Sequence, residues 1–268
     1  MKTKIRVTLI LLINTLLATA QHTGRLTVLA GASVPAGVFA QKDITDPGSG
    51  FAKTGEAMAL QYSHPVSKKW NLLIFAAAQR NPLHVKAFEN GLSAVSIGQN
   101  FYFGSTTGTP PPPGHNYYKN WIVEKRSWFA GSLHAGMEWL PGGDSKKSWF
   151  SLSGAVGAGY VLLPHVKGSS ITDTATAVVE QTKETAFGFS YHTAAGFHYR
   201  LTKNICLSGS LLYYGTGDVT FKEVRSTTYT TRGVYGSPGY TVSQSFITFR
   251  GQQRLGTVCV LAGISFRL

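Results

Sequence analysis

The sequence predicts an all-β fold, a closed antiparallel transmembrane β-barrel of eight strands with short periplasmic turns and long extracellular loops. Three observations carry that expectation. Apolar residues recur at every second position through several long segments, the mark of strands with two unlike faces. After the first twenty residues no segment holds the roughly 18 uninterrupted apolar residues of a membrane helix. The connections between segments alternate long and short, as they do in an even-stranded membrane barrel with tight turns on one side and loops on the other.

The chain opens with Lys2, Lys4 and Arg6, an apolar run from Val7 to Leu17, and the small residues Ala18-Thr19-Ala20. This reads as a cleaved signal peptide, 1–20, ahead of a barrel domain, 21–268. No cysteine lies near the cut to carry a lipid anchor. The formal net charge of +13 belongs to the whole chain; in an exported protein it points to the phosphates of lipid and lipopolysaccharide rather than to nucleic acid. Two cysteines, Cys206 and Cys259, are too few for a disulfide-framed scaffold. Both should face inward on neighbouring strands as small buried residues, with a disulfide as the alternative where the register brings them together.

The strands follow in order. Arg25 to Ser33, Thr54 to Ser63 and Trp70 to Gln79 alternate weakly. Trp128 to Trp139 sets Phe129, Leu133, Ala135, Met137 and Trp139 against Ser132, His134, Gly136 and Glu138. From Ser148 the even positions Phe150, Leu152, Val156, Ala158 and Tyr160 are apolar and the odd ones mostly small. From Ala186 the parity is reversed, with Phe187, Phe189, Tyr191, Phe197 and Tyr199 against Ser190, His192, His198 and Arg200. Asn204 to Phe221 and a terminal strand from about Ile247 complete eight. Long connections are expected at about 34 to 53, 80 to 125, 163 to 184 and 225 to 246. In the second of these, Phe88, Leu92 and Val95 recur at helical spacing, GTPPPPGHNYY (Gly108 to Tyr118) reads as a stiffened extended segment, and an extra strand pair would make ten.

On the apolar faces Phe129 and Trp139, Phe150 and Tyr160, and Phe189 and Tyr199 are each ten residues apart. Ten residues of tilted strand rise about 25 Å, the height of the apolar band between two aromatic girdles.

This pattern of alternation and loop length resembles the small outer-membrane β-barrel family, the porin-like eight-stranded architecture of the OmpA transmembrane domain and OmpX, over essentially the whole mature chain. The resemblance implies the outer membrane of a Gram-negative bacterium, and a barrel without a periplasmic domain. It also implies a last strand read by the barrel assembly machinery. Ile264, Phe266 and Leu268 would present that terminal apolar register.

The polar face collects Arg25, Gln61, His134, Glu138, His192, His198, Arg200 and Arg267. Eight strands enclose a space that side chains fill, so these residues read as a structural polar core. Ser190 and His192 point the same way from one strand and invite a hydrolase reading, but they lie on the inner face. No metal-ligand spacing and no cofactor motif appears, and the Gly154 to Gly159 run lacks the ending of a phosphate loop. The expected function is a non-enzymatic barrel in envelope integrity or surface interaction, with outer-membrane lipids and lipopolysaccharide as neighbours and the surface ligand unspecified. A narrow channel, a lipid-modifying enzyme and a soluble lipocalin-like binder are the alternatives.

Overall fold

A sheet with one apolar face and one polar face can leave no edge bare in hydrocarbon unless its first and last strands meet. They meet here. β1 (Arg25–Pro35) pairs antiparallel with β15 (Gly256–Arg267) over its whole length, Arg25 opposite Arg267 and Pro35 opposite Thr257. Between them run β2 (Gly55–Pro65), β3 (Trp70–Pro82), β5 (Ser127–Trp139), β6 (Ser148–Leu163), β9 (Glu184–Arg200) and β10 (Ile205–Thr216). The order around the closed barrel is β1-β15-β10-β9-β6-β5-β3-β2, eight strands in all. The computed structural model describes residues 24–44, 46, 48–98, 120–144, 146–171, 175–221, 225–232, 241–248 and 251–268. The expected signal peptide and the stretch Gly108 to Tyr118 lie outside them.

Alternation is obeyed with the apolar set outward. Val28, Leu72, Leu133, Leu152, Val156, Leu211 and Val260 are exposed, while their chain neighbours Thr27, Ser132, Ser151 and Cys259 turn inward. Exposed side chains of that size over a whole circumference suit lipid and not water. The paired aromatics fall into two collars. Toward the short turns, Trp70 lies 6.3 Å from Trp139 and Phe150 lies 5.2 Å from Phe197. Toward the loops, Phe129, Tyr160 and Phe187 form a chain with spacings of 5.8 and 6.2 Å, and Phe189, Tyr191 and Tyr213 form another with spacings of 6.1 and 6.2 Å. Tyr199 belongs to the turn-side collar, where the Lys147 ammonium sits 5.2 Å above its ring.

The loops hold more structure than their sequences announce. β7 (Val166–Ile171) and β8 (Ala175–Gln181) continue the β6/β9 pair as a hairpin. β12 (Arg225–Arg232) pairs with β8 and with β13 (Thr241–Thr248), and β4 (Ile122–Val123) pairs with β7. These five form a second sheet, and β11 (Val219–Thr220) with β14 (Gln252–Gln253) a third. The last barrel strand, expected from about Ile247, therefore begins at Gly256, because residues 241–248 find a partner in the loop sheet first. β10 likewise stops at Thr216 rather than Phe221. The extra pair that would make ten strands is absent from the barrel: the 80 to 125 connection supplies α1 (Val85–Gly98) and the short β4 instead. The helical spacing is realised, with Phe88 and Leu92 buried in a loop core containing Phe51, Leu83, Trp121, Val123, Val166 and Val179.

Candidate functional site

The interior is built in three layers, each fixed by which residues the parity turns inward. The layer nearest the turns is a polar ring. Glu138 on β5, fully buried, accepts two hydrogen bonds from the Arg25 guanidinium of β1 at 2.5 and 2.6 Å, one from Asn71 of β3 at 2.7 Å and one from Gln61 of β2 at 3.3 Å. The other half of the ring is a chain of hydroxyls and one imidazole. Thr27 meets Ser265 at 2.8 Å, Ser265 meets Ser208 at 2.5 Å, Ser208 meets His198 Nδ1 at 2.8 Å, and His198 Nε2 meets Ser151 at 3.1 Å. The gap between the halves is spanned by His198 Nε2, 4.0 Å from Glu138 Oε1. Each of the eight barrel strands thus contributes a side chain. Under the ring, Trp149 lies face to face with His198 at 5.2 Å, with the Arg25 and Arg200 guanidinium carbons 5.7 and 5.6 Å from its own ring. A carboxylate in this position is tolerated only because a cation and two amides saturate it.

The middle layer surrounds two buried histidines. His134 Nε2 lies 2.7 Å from Ser190 Oγ, and His134 Nδ1 lies 2.9 Å from His192 Nδ1. Phe75 packs against both, its centroid 4.0 Å from that of His192. Ser190 and His192 share the inward face, as expected, but the histidine that meets Ser190 is His134, two strands away. Contact is made across β6, where Gly157 stands between His134 and Ser190 in the register. A Cβ on Gly157 would lie 2.0 Å from the Leu133 carbonyl oxygen, and one on Gly159 would lie 2.9 Å from the Tyr214 hydroxyl. Gly157 and Gly159 of β6 are clearance for this layer.

Beside it a cavity of about 10 Å³ is lined by Gln79, Ser132, Tyr214 and Cys259 among apolar neighbours. Three polar atoms at its wall, Gln79 Nε2, Ser132 Oγ and the Tyr214 hydroxyl, are buried without a protein partner. The volume is about that of one water molecule. Cys259 packs with Leu29, Phe75, Leu212 and Leu261, so the interior is apolar as well as polar at mid-height. Both cysteines are buried and free. Cys206 stands opposite Ser265 and Cys259 opposite Leu212, so the register holds them apart.

The third layer closes the loop end. Phe39, from a 3₁₀ turn at Gly37–Ala40, packs edge-on against Trp128 at 5.5 Å, together with Val161, Leu163, Val219, Phe221 and Leu255.

Of the residues expected inside, Arg25, Gln61, His134, Glu138, His192 and His198 are buried there. Arg200 is partly exposed below the ring, donating to the Asp144 carbonyl. Arg267 is corrected: it is exposed at the rim and pairs with the Asp144 carboxylate, because a long side chain at a strand end can turn outward to a solvated partner. On the loop hairpin, a hydrogen bond from His165 holds the Glu180 carboxyl below its usual range. Among the described residues no group of three or more His, Cys, Asp or Glu is placed to hold a metal ion.

Sequence spacing could not reveal the hydroxyl chain, since serine and threonine on an inner face look alike at every position. Nor could it reveal the loop core.

No protein-family model and no curated protein matches the chain. Among solved structures it is similar to Ail, the attachment invasion locus protein of Yersinia pestis, with 13% identity and a TM-score of 0.35 over 91% of this chain and 97% of that one. It is similar to a major outer membrane protein from Thermus thermophilus, with 12% identity and a TM-score of 0.40 over 92% and 100%. A third is Neisserial surface protein A, with 9% identity and a TM-score of 0.40 over 92% and 97%. The eight-stranded closure rests on the strand pairing within this chain.

Proposed function

We propose that this chain is a non-enzymatic outer-membrane β-barrel of a Gram-negative bacterium. Its interior only holds it together, and its work in envelope integrity or surface interaction is done by the folded loop platform. The observation that carries this reading is the filled interior: a polar ring, a histidine layer and an apolar cap occupy successive levels, leaving at the histidine layer a cavity of about 10 Å³. A conducting pore needs a continuous wet path, and side chains packed at three successive levels argue against one. The lipid and lipopolysaccharide of the outer membrane would bathe the apolar band, and the assembly machinery would receive Ile264, Phe266 and Leu268. The first two are exposed on the lipid-facing side of β15 and Leu268 is exposed just beyond its end. The test has two parts. Protein extracted from outer membranes should migrate faster on a gel unheated than boiled, and should give no conductance in a planar bilayer. Recovery as a soluble periplasmic monomer would overturn the membrane reading, and steady single-channel currents the sealed interior.

A hydrolase is the second reading, because Ser190 and His134 are at 2.7 Å with His192 behind. If His134 carries its proton on Nδ1, it donates to His192 and accepts from the Ser190 hydroxyl, the tautomer a general base requires. Ser190 is, however, completely buried under the apolar cap, with no route for substrate. Labelling of folded wild type, but not Ser190→Ala, by a fluorophosphonate would establish the enzyme.

A further inference from the structure

The two ends of the barrel differ in charge. The three short turns carry Lys68 and Lys69, Lys146 and Lys147, and Lys203, all exposed. With Arg200 and Arg267 beside them, they face a single side-chain carboxylate among the described residues of that rim, Asp144, which Arg267 already occupies. At the loop end eleven lysines and arginines among the described residues meet eight carboxylates, a smaller excess, and several are paired there: Arg80 with Glu56, Arg126 with Glu124, Arg254 with Asp218. Net positive charge at the turn rim is therefore uncompensated by the protein.

Those lysines also stand at one depth. Directly above them on the outer surface runs the turn-side aromatic collar, Trp70, Trp139, Phe150 and Tyr199, with Lys147 over the Tyr199 ring. Aromatic side chains settle where headgroups meet hydrocarbon, and a lysine one turn beyond lays its stem along them and places its ammonium among phosphates. Three turns spaced around the barrel carry such lysines, giving a ring rather than a patch. Anionic phosphate at that depth completes it.

We propose that the turn-end lysine ring is a binding surface for anionic phospholipid headgroups in the leaflet to which the short turns project. The inference rests on the membrane reading above and adds to it a lipid preference confined to one rim. Each bound phosphate releases one lysine from repulsion by its neighbours, so the protein is held more firmly in a membrane containing such lipid, and salt weakens the effect.

The experiment uses the mature chain refolded into phosphatidylcholine vesicles with none or about 30 mol % phosphatidylglycerol, reading the urea midpoint of unfolding. Wild type should show a higher midpoint with phosphatidylglycerol, and the rise should shrink at about 0.5 M NaCl. A variant carrying Lys68→Gln, Lys69→Gln, Lys146→Gln, Lys147→Gln and Lys203→Gln should match wild type in pure phosphatidylcholine and lose most of the rise. A variant with five loop-end changes, Lys42→Gln, Lys53→Gln, Lys86→Gln, Lys125→Gln and Lys183→Gln, should keep it. An equal rise in the turn variant, its loss in the loop variant, or no rise in wild type overturns the lipid ring while leaving the barrel intact. A ring that serves a soluble acidic partner instead would give the last of these results. Failure of wild type to fold in pure phosphatidylcholine overturns the membrane reading itself.

Discussion

Glu138 is the residue on which most of the polar ring converges, and its removal tests whether that ring stabilises the barrel. Glu138→Ala leaves the Arg25 guanidinium buried without a counter-charge, a loss of about 3 to 5 kcal/mol by urea unfolding. Arg25→Met added to it should recover much of that, because the orphaned charge is gone. Tyr214→Phe asks a subtler question. Its hydroxyl borders a water-sized cavity with Ser132 Oγ and Gln79 Nε2. If a water joins the three, deleting the hydroxyl should cost about 1 kcal/mol, whereas a gain would show the cavity dry. Parity made the inward set legible, because a strand side chain has only two directions. It misplaced Arg267, where strand geometry ends and a flexible stem decides. It also could not say that Ser190 meets His134, because partners two strands apart depend on register, which alternation does not encode.

At the scale of elements, β6 is shaped by what it must not contain. Gly157→Ala should sharply reduce the fraction of folded, heat-modifiable barrel, since its Cβ would meet backbone of β5 that cannot move without breaking the pairing. β5 tests direction. Leu133, 55% exposed on the outer face, changed to Arg should cost roughly 2 to 4 kcal/mol at mid-depth. Equal membrane assembly of Leu133→Arg and wild type would turn the strand around. β15 sets its two faces against each other. Phe266→Asp, on the lipid face near the rim, should impair assembly. Ser265→Asp, which a facing Arg267 would have made mild, should be the worse for stability: Ser265 is fully buried between Thr27 and Ser208, and Arg267 is engaged at Asp144. Urea midpoints of the two variants decide the order. The eight barrel strands were legible from alternation and the loop strands were not. Val166–Ile171 and Thr241–Thr248 lack a clean apolar period in sequence because they pair with other loop strands and have no lipid boundary to face.

For the whole molecule, the ring described above sets when the barrel can become itself. Its members come from all eight strands, and one link, Thr27 to Ser265, joins residues 238 apart in sequence, while Arg25 and Glu138 are 113 apart. Until β15 arrives, β1 has an open edge and Thr27 and Ser208 lack their common neighbour. A seven-stranded intermediate is therefore not a slightly weaker barrel but an incomplete circuit, with polar groups ready to be buried and no partner to close on. Loop-closure entropy falls due almost entirely at that last step. Assembly should then be a single late event governed by the arrival of the final strand, so that partly built chains remain reversible and finished ones do not readily reopen.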